Sequence, residues 1–217
     1  NKKIILTKIQ QAHANSNFSL LPDPKLVAIS KKQEEYKIEL AIKFGQRFFG
    51  ENRVQEAKQR WKKRMELYND IELRLVGPLQ TNKVKQALNL FHIIETVDRE
   101  KLAKEISNNL NNQSKTKNFY IQINTGSENQ KNGLIPSEAD AFIEYCIKDL
   151  TLPIIGLMCI PPQDEEPSMH FAFLKKIADR NGLIELSMGM SNDFEEAIKF
   201  GATSVRIGSL FFGPRLF

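Results

Sequence analysis

Cysteine is scarce in this chain. Only Cys146 and Cys159 occur in 217 residues, and they form no C-x-x-C pair. That spacing excludes a disulfide framework and a paired-thiol redox or zinc motif, and leaves two reduced residues in or near a core. The three histidines, His13, His92 and His170, fall in separate contexts without metal-ligand spacing. No stretch approaches the roughly 18 uninterrupted apolar residues of a membrane span. The opening segment NKKIILTKIQQAHAN has no apolar secretory core, so the expected location is cytoplasmic. Also missing are G-x-G-x-x-G after a strand, a G-x-S-x-G elbow and a Walker-type lysine loop, which argues against a dinucleotide fold, a hydrolase of that class and a P-loop enzyme. No Gly/Ser-rich linker interrupts the chain, and the Pro-rich CIPPQDEEP has the character of a loop, so residues 1–217 are expected to form a single domain. The net charge of +5 comes from 31 basic residues interspersed among 26 acidic ones. No basic stripe with interleaved aromatics exists, and nucleic acid is not the expected partner.

What is present is a repeat of strand and helix. Short runs rich in β-branched or aromatic residues lie at Leu26–Ser30, Arg47–Glu51, Leu73–Gly77, Ile93–Val97, Phe119–Asn124, Ile154–Ile160, Ile184–Gly189 and Ser204–Gly208. Segments between them carry helical spacing, including Leu40, Ile42 and Phe44, then Val54, Ala57, Trp61 and Met65, and later Leu102, Ile106 and Leu110. Asp98, Ser137, and Asn192 or Asp193 stand where helix caps are expected, and Gly45, Gly182 and Gly201 where helices should stop. Strand then helix, eight times over, predicts an α/β fold, a single TIM-like (β/α)8 barrel. Only Leu210–Phe217 follows the eighth strand, so Lys3–Asn15, with Ile5, Ile9 and Ala12 on one face, is the N-terminal helix expected to cover that strand. A doubly wound open sheet is the alternative.

Ligands of such barrels gather at the carboxyl ends of the strands. In KLVAISKK, alternation puts Val27, Ile29 and Lys31 on one face and delivers an amine to the rim; a strand-end solubilising charge is the plainer alternative. Only a neutral amine attacks a carbonyl, so a lysine at this position suits an aldehyde ligand if its charge is disfavoured. After the seventh and eighth strands, ELSMGMSND and VRIGSLFFG offer Gly189, Ser191, Gly208 and Ser209, a combination of close backbone approach and hydroxyl donors suited to a phosphate; either loop alone has an equally good explanation as a turn. Arg206 alternates with Gly208 and should share its face, where a guanidinium can donate to a ring nitrogen or carboxylate but cannot act as an acid. Asn52, Asn82 and Asn124 are further rim contacts or turn residues, and Met158 either packs on a ring or belongs to the core.

The pieces LVAISK, FGENRVQEA, LVGPLQTNK, IQINTGSENQKNG, GLMCIPP, ELSMGMSNDFEEAI and VRIGSLFFGPR, in this order from Leu26 to Arg215, resemble the pyridoxal 5′-phosphate homeostasis proteins, a family similar in fold to the N-terminal barrel of alanine racemase. The resemblance implies pyridoxal 5′-phosphate held as an internal aldimine on Lys31, Arg206 facing the pyridine nitrogen, and Ser191, Gly208 and Ser209 around the phosphate, with Asn52 and Met158 nearby. It also implies a cofactor carrier or regulator without strong turnover; transient contact with pyridoxal-phosphate-dependent enzymes is expected, and scattered charge with a fully covered barrel permits a monomer. The chain departs from the family at Arg74, where a histidine usually precedes GPLQ, at Lys32 and Gln33, and in a short stretch between CIPP and ELSMGM. Two other functions remain open. A weak amino-acid racemase would need a second acid/base group that none of Tyr36, Tyr68, Tyr120 and Tyr145 is positioned to supply. A phosphate-binding barrel enzyme without pyridoxal phosphate would need a strand-end carboxylate, for which Glu51 and Glu95 are candidates.

Overall fold

Alternation along each strand decides the architecture of this computed structural model, which describes residues 1–128, 130 and 132–213. Eight parallel strands, β1 (Lys25–Ile29), β2 (Phe48–Glu51), β3 (Glu72–Leu75), β4 (Ile93–Val97), β5 (Asn118–Ile123), β6 (Ile154–Cys159), β7 (Glu185–Ser187) and β8 (Ser204–Ile207), pair in chain order. The sheet closes where Val27 of β1 lies opposite Arg206 of β8. One residue set on each strand, such as Leu26 and Ala28, Leu73 and Leu75, or Val205 and Ile207, joins the large apolar layer shared with the outer helices. The other set faces the lumen. It includes Val27, Ile29 and Val76 in one cluster and Ile93, Tyr120 and Met158 in another.

The outer ring begins with α1 (Lys2–Ala14), followed by α2 (Glu35–Lys43), α3 (Val54–Leu67), α4 (Val84–Leu90) and α5 (Glu100–Asn109). It continues with α6 (Ala139–Glu144), extended by a π-helical turn over Tyr145–Asp149, then α7 (Pro167–Arg180), α8 (Phe194–Lys199) and the short α9 (Ser209–Phe212). Helix α1 buries Ile5, Ile9 and Ala12 in the shared layer and packs against α8. On its other side Lys2 Nζ donates to the Phe44 carbonyl at the end of α2. It thereby fills the ring position between α8 and α2, the place a helix following β8 would take.

Gly45, Gly182 and Gly201 end α2, α7 and α8 with φ of 77°, 67° and 91°, as their placement in the sequence predicts. Three expectations need correction. Leu40 and Phe44 are 46% and 73% exposed, and α2 buries Ile38, Ala41 and Ile42 instead. The spacing of two among Leu40, Ile42 and Phe44 belongs to a strand and not to a helix face. Nor do the anticipated caps act as caps: no side chain bonds the first turns of α5, α6 or α8. Asp98 pairs with Arg99, and Asp193 accepts the Met190 amide upstream of its helix. The strand ends also fall one or more residues inside several of the predicted limits, as at Ser30, Gly77, Asn124, Ile160, Gly189 and Gly208. Pro214 and Arg215 of the VRIGSLFFGPR motif, and Asn129 and Lys131 of IQINTGSENQKNG, lie outside the described residues.

Candidate functional site at the carboxyl ends of the strands

The turn after β1 carries Lys31, and buried polar contacts fix that turn from behind. Glu51, at the end of β2 and turned outward to α3, is fully buried. Its Oε1 accepts from Ser30 Oγ at 2.7 Å, Arg60 Nη1 at 3.0 Å and Trp61 Nε1 at 3.1 Å. Arg60 also donates to the carbonyls of Ser30 at 2.9 Å and Gln33 at 3.3 Å, so both ends of the Lys31 turn are tied to α3. Burial works against the Arg60 charge, but Glu35 and Glu51 outweigh it and hold the guanidinium above its ordinary pKa. Asn52 follows immediately. Gly77 permits its approach, since a Cβ there would lie 2.3 Å from the Asn52 carbonyl oxygen.

Next to β1 in the closed barrel come β8 and then β7, and the loop after β7 turns at Gly189 with φ of 89°, where a Cβ would lie 2.6 Å from that of Ala197. Ser191 follows, and its Oγ is 3.4 Å from that of Ser209. Ser209 opens α9 directly after Gly208, and the amides of Ser209 and Leu210 have no intrahelical acceptor. A Cβ on Gly208 would meet no protein atom nearer than 3.6 Å.

Lys31, Asn52, Ser191, Arg206, Gly208 and Ser209 all line one cleft of about 710 Å³, floored by Ile29 and Val76 and walled by the loop after β6. Of the residues singled out from sequence, Met158 is not among the lining. It is 0% exposed and packs in the lumen with Ile93 and Tyr120. Asn82 also lies elsewhere, and Asn124 Nδ2 holds its own loop by donating to the Glu128 carbonyl at 2.8 Å. Glu51 and Glu95, considered as bases, do not line the cleft, and both are engaged in ion pairs.

Arg206 is 4% exposed and rises from the lumen into the cleft. Its Nη1 donates to Ser187 Oγ at 2.8 Å and its Nη2 to the Cys159 carbonyl at 2.7 Å. Behind Ser187 stands Glu95, and behind Glu95 stands Arg74. Burial disfavours the Arg74 charge, yet Glu95 and Glu72 hold its pKa above the ordinary value, so this lumen position carries a permanent cation. Burial pushes the Cys159 thiol up to about 12, which leaves it an inert core residue. Ser187 has no place among the sequence expectations, and Glu95 enters them only as a candidate base. A detectable signal existed: polar residues at inward positions of otherwise apolar strands, as in Glu72 and Arg74, Glu185 and Ser187, and Ser204 and Arg206.

An amine, a guanidinium, a pair of serines and a glycine thus gather on one sector of the mouth, at the ends of β1, β7 and β8, a set whose chemistry suits a ligand carrying both a carbonyl and an anion. The chain belongs to the pyridoxal phosphate homeostasis family, and residues 13–215 match the alanine racemase N-terminal domain. It is 37% identical to the pyridoxal phosphate homeostasis protein of Aquifex aeolicus over 200 residues, 88% of this chain and 87% of the other. It is also 37% identical to the human protein of that name, over 96% of this chain and 83% of the other. The structure of PipY from Synechococcus elongatus without PLP superposes with a TM-score of 0.83 at 30% identity, covering 96% of this chain and 100% of that one. The PLP-bound form gives 0.78 at 32% identity, covering 94% and 100%. Alanine racemase from Corynebacterium glutamicum shares the fold, with a TM-score of 0.66 at 17% identity over 98% of this chain and 62% of that one.

Proposed function

We propose that this protein binds pyridoxal 5′-phosphate through Lys31 and serves cofactor homeostasis by holding the cofactor, without strong turnover. The observation that carries the proposal is the convergence of Lys31, Arg206, Ser191 and Ser209 on one cleft. The residues fit the group. Space opens above Gly208, where an added Cβ would fill the cleft without clashing with protein, and the donors around it are two hydroxyls suited to a phosphate. When bound, pyridoxal 5′-phosphate supplies an aldehyde that condenses reversibly with an amine, releasing water, and a ring that withdraws electron density.

The chain's own residues then divide the work. Lys31 presents its amine from a turn clamped by Glu51 and Arg60. Ser191, Ser209 and the open backbone at Gly208 receive the phosphate. Arg206, fixed on its two terminal nitrogens, donates toward the ring nitrogen and opposes its protonation, which restrains carbanion chemistry. Asn52 closes the edge beside Lys31. Met158 is left out of the assignment because its side chain lies beneath the cleft. Among the described residues no tyrosine lines the cleft to act as a second acid/base group. Tyr120 donates instead to Glu185 at 3.2 Å, near the amino ends of the strands. No helix among the described residues is long and apolar enough to cross a membrane. A cytoplasmic monomer that makes transient contact with pyridoxal-phosphate-dependent enzymes completes the proposal.

The test is borohydride reduction of the purified protein after cofactor addition, followed by peptide mapping. The expected result is one stable adduct, on Lys31, absent from Lys31→Ala. An adduct on another lysine, or none, refutes the assignment, and rapid D/L exchange of an amino acid that is lost in Lys31→Ala would replace it with a racemase.

A further inference from the structure

Four strands contribute to one continuous chain of buried polar groups beneath the cleft. Arg74 of β3 donates from Nη1 to Glu95 Oε1 of β4 at 2.9 Å, and from Nε to Glu72 Oε1 at 2.7 Å. Ser187 Oγ of β7 donates to Glu95 Oε2 at 2.6 Å. A hydroxyl has one proton, so with that proton committed to the carboxylate, Ser187 can only accept from Arg206 Nη1, which it does at 2.8 Å. Glu95 and Ser187 are 0% exposed, so water does not substitute for either.

A guanidinium is planar, and anchoring two of its nitrogens fixes both its plane and the direction of the third. Nη1 rests on Ser187 and Nη2 on the Cys159 carbonyl, while Nε has no acceptor among the described residues. We propose that Ser187 and Glu95, anchored by Arg74, are positioning residues that hold the plane of Arg206 and aim its remaining N–H at the ring nitrogen of the bound cofactor. The proposal rests on the cofactor assignment above and extends it to residues that never touch the ligand. Arg74 has a role in it: it locks the Glu95 carboxylate from the far side, so that Oε2 stays directed at Ser187.

The test compares two ligands on the full chain, pyridoxal 5′-phosphate and its 1-deaza analogue, in which the ring nitrogen is replaced by C–H while the aldehyde and phosphate remain. Dissociation constants are measured by equilibrium titration of the cofactor-free protein, and melting is followed in parallel. Ser187→Ala is the primary variant, because Glu95→Gln also strips the countercharge from Arg74. Ser187→Ala is expected to weaken pyridoxal 5′-phosphate binding about tenfold, the size of one lost hydrogen bond, and to change binding of the deaza analogue less than about twofold. Glu95→Gln, where it folds, should show the same selectivity. Equal losses for both ligands, or no loss for either, overturn the relay and leave the cofactor assignment standing. Failure of the unsubstituted protein to bind either ligand overturns the assignment itself, and the relay with it.

Discussion

Replacing Glu51 by alanine should reach the cofactor lysine without touching the cleft. The carboxylate accepts three hydrogen bonds on one oxygen, from Ser30, Arg60 and Trp61, and its removal strands donors in a space water does not enter. Breaking a buried ion pair from one side costs about 3–5 kcal/mol. Arg60 keeps its contact to Glu35 Oε1 at 3.0 Å and a partly exposed edge, which favours the lower end, about 3 kcal/mol. For a chain of this size that corresponds to a fall in Tm of about 6–12 °C. The same change unfastens the Ser30 end of the turn, so Lys31 loses its fixed approach and cofactor affinity should drop more than in a control of equal instability. Glu51→Gln keeps an acceptor oxygen and most of the shape, and should fall between the two. Denaturant melts give the stability change, and cofactor titration well below the melting range gives the affinity. A loss under about 1 kcal/mol for Glu51→Ala would mean that water or a rearranged Arg60 satisfies the stranded donors, and the anchoring argument fails.

Two glycines separate folding from binding. Gly77→Ala drives a Cβ onto the Asn52 backbone and should lower stability by about 1–3 kcal/mol or more, measured by denaturant unfolding. Gly208→Ala should leave stability within about 0.5–1 kcal/mol yet weaken cofactor binding roughly tenfold, by filling the cleft; unchanged affinity would place the phosphate elsewhere. A pH dependence should come from His92, whose pKa lies below 6.5 because burial, reinforced by Lys115, disfavours its charge. Its Nδ1 accepts the Leu73 amide at 3.0 Å, a bond only the unprotonated nitrogen can make. The unfolded chain therefore takes up this proton first, so stability from His92 is intact above about pH 6.5 and declines as pH falls through the window beneath it. Tm measured across that window should fall less steeply in His92→Gln; an identical slope would assign the decline to carboxylates alone.

The barrel was legible because each strand announces itself twice, by β-branched content and by the helix that follows, and the eight runs recur at the right interval. Helix α1 was legible for the same reason, its Ile5, Ile9 and Ala12 repeating at helical spacing. Caps were not, since a serine or aspartate before a helix competes with other partners that only the fold supplies, as Arg99 does for Asp98. In the site, alternation placed Lys31 and Arg206 correctly on the inward face. It also put Met158 inward, but could not reveal how deep: strand β6 carries a register shift near its start, and the residue ends up level with the lumen cluster below the mouth. The partners of Arg206 lie 19 and 47 positions away in sequence, and no local pattern links them.

The charged lumen bears on how this barrel closes. Sliding β3 by a single position would thrust Leu73 and Leu75 among carboxylates and push Arg74 into the oily jacket beneath α3 and α4. The ions thus act as a key for strand alignment that apolar side chains, being interchangeable, would not provide. They also divide unequally between the halves: a fragment ending after β4 retains Glu72, Arg74 and Glu95, whereas the complementary fragment carries Arg206 together with the Ser187 hydroxyl and Cys159 carbonyl that hold it, and the Ser187 and Ser204 hydroxyls bridge the two. The second half should therefore hold its guanidinium unaided, and gain the carboxylate that orients the Ser187 hydroxyl only when the first half docks.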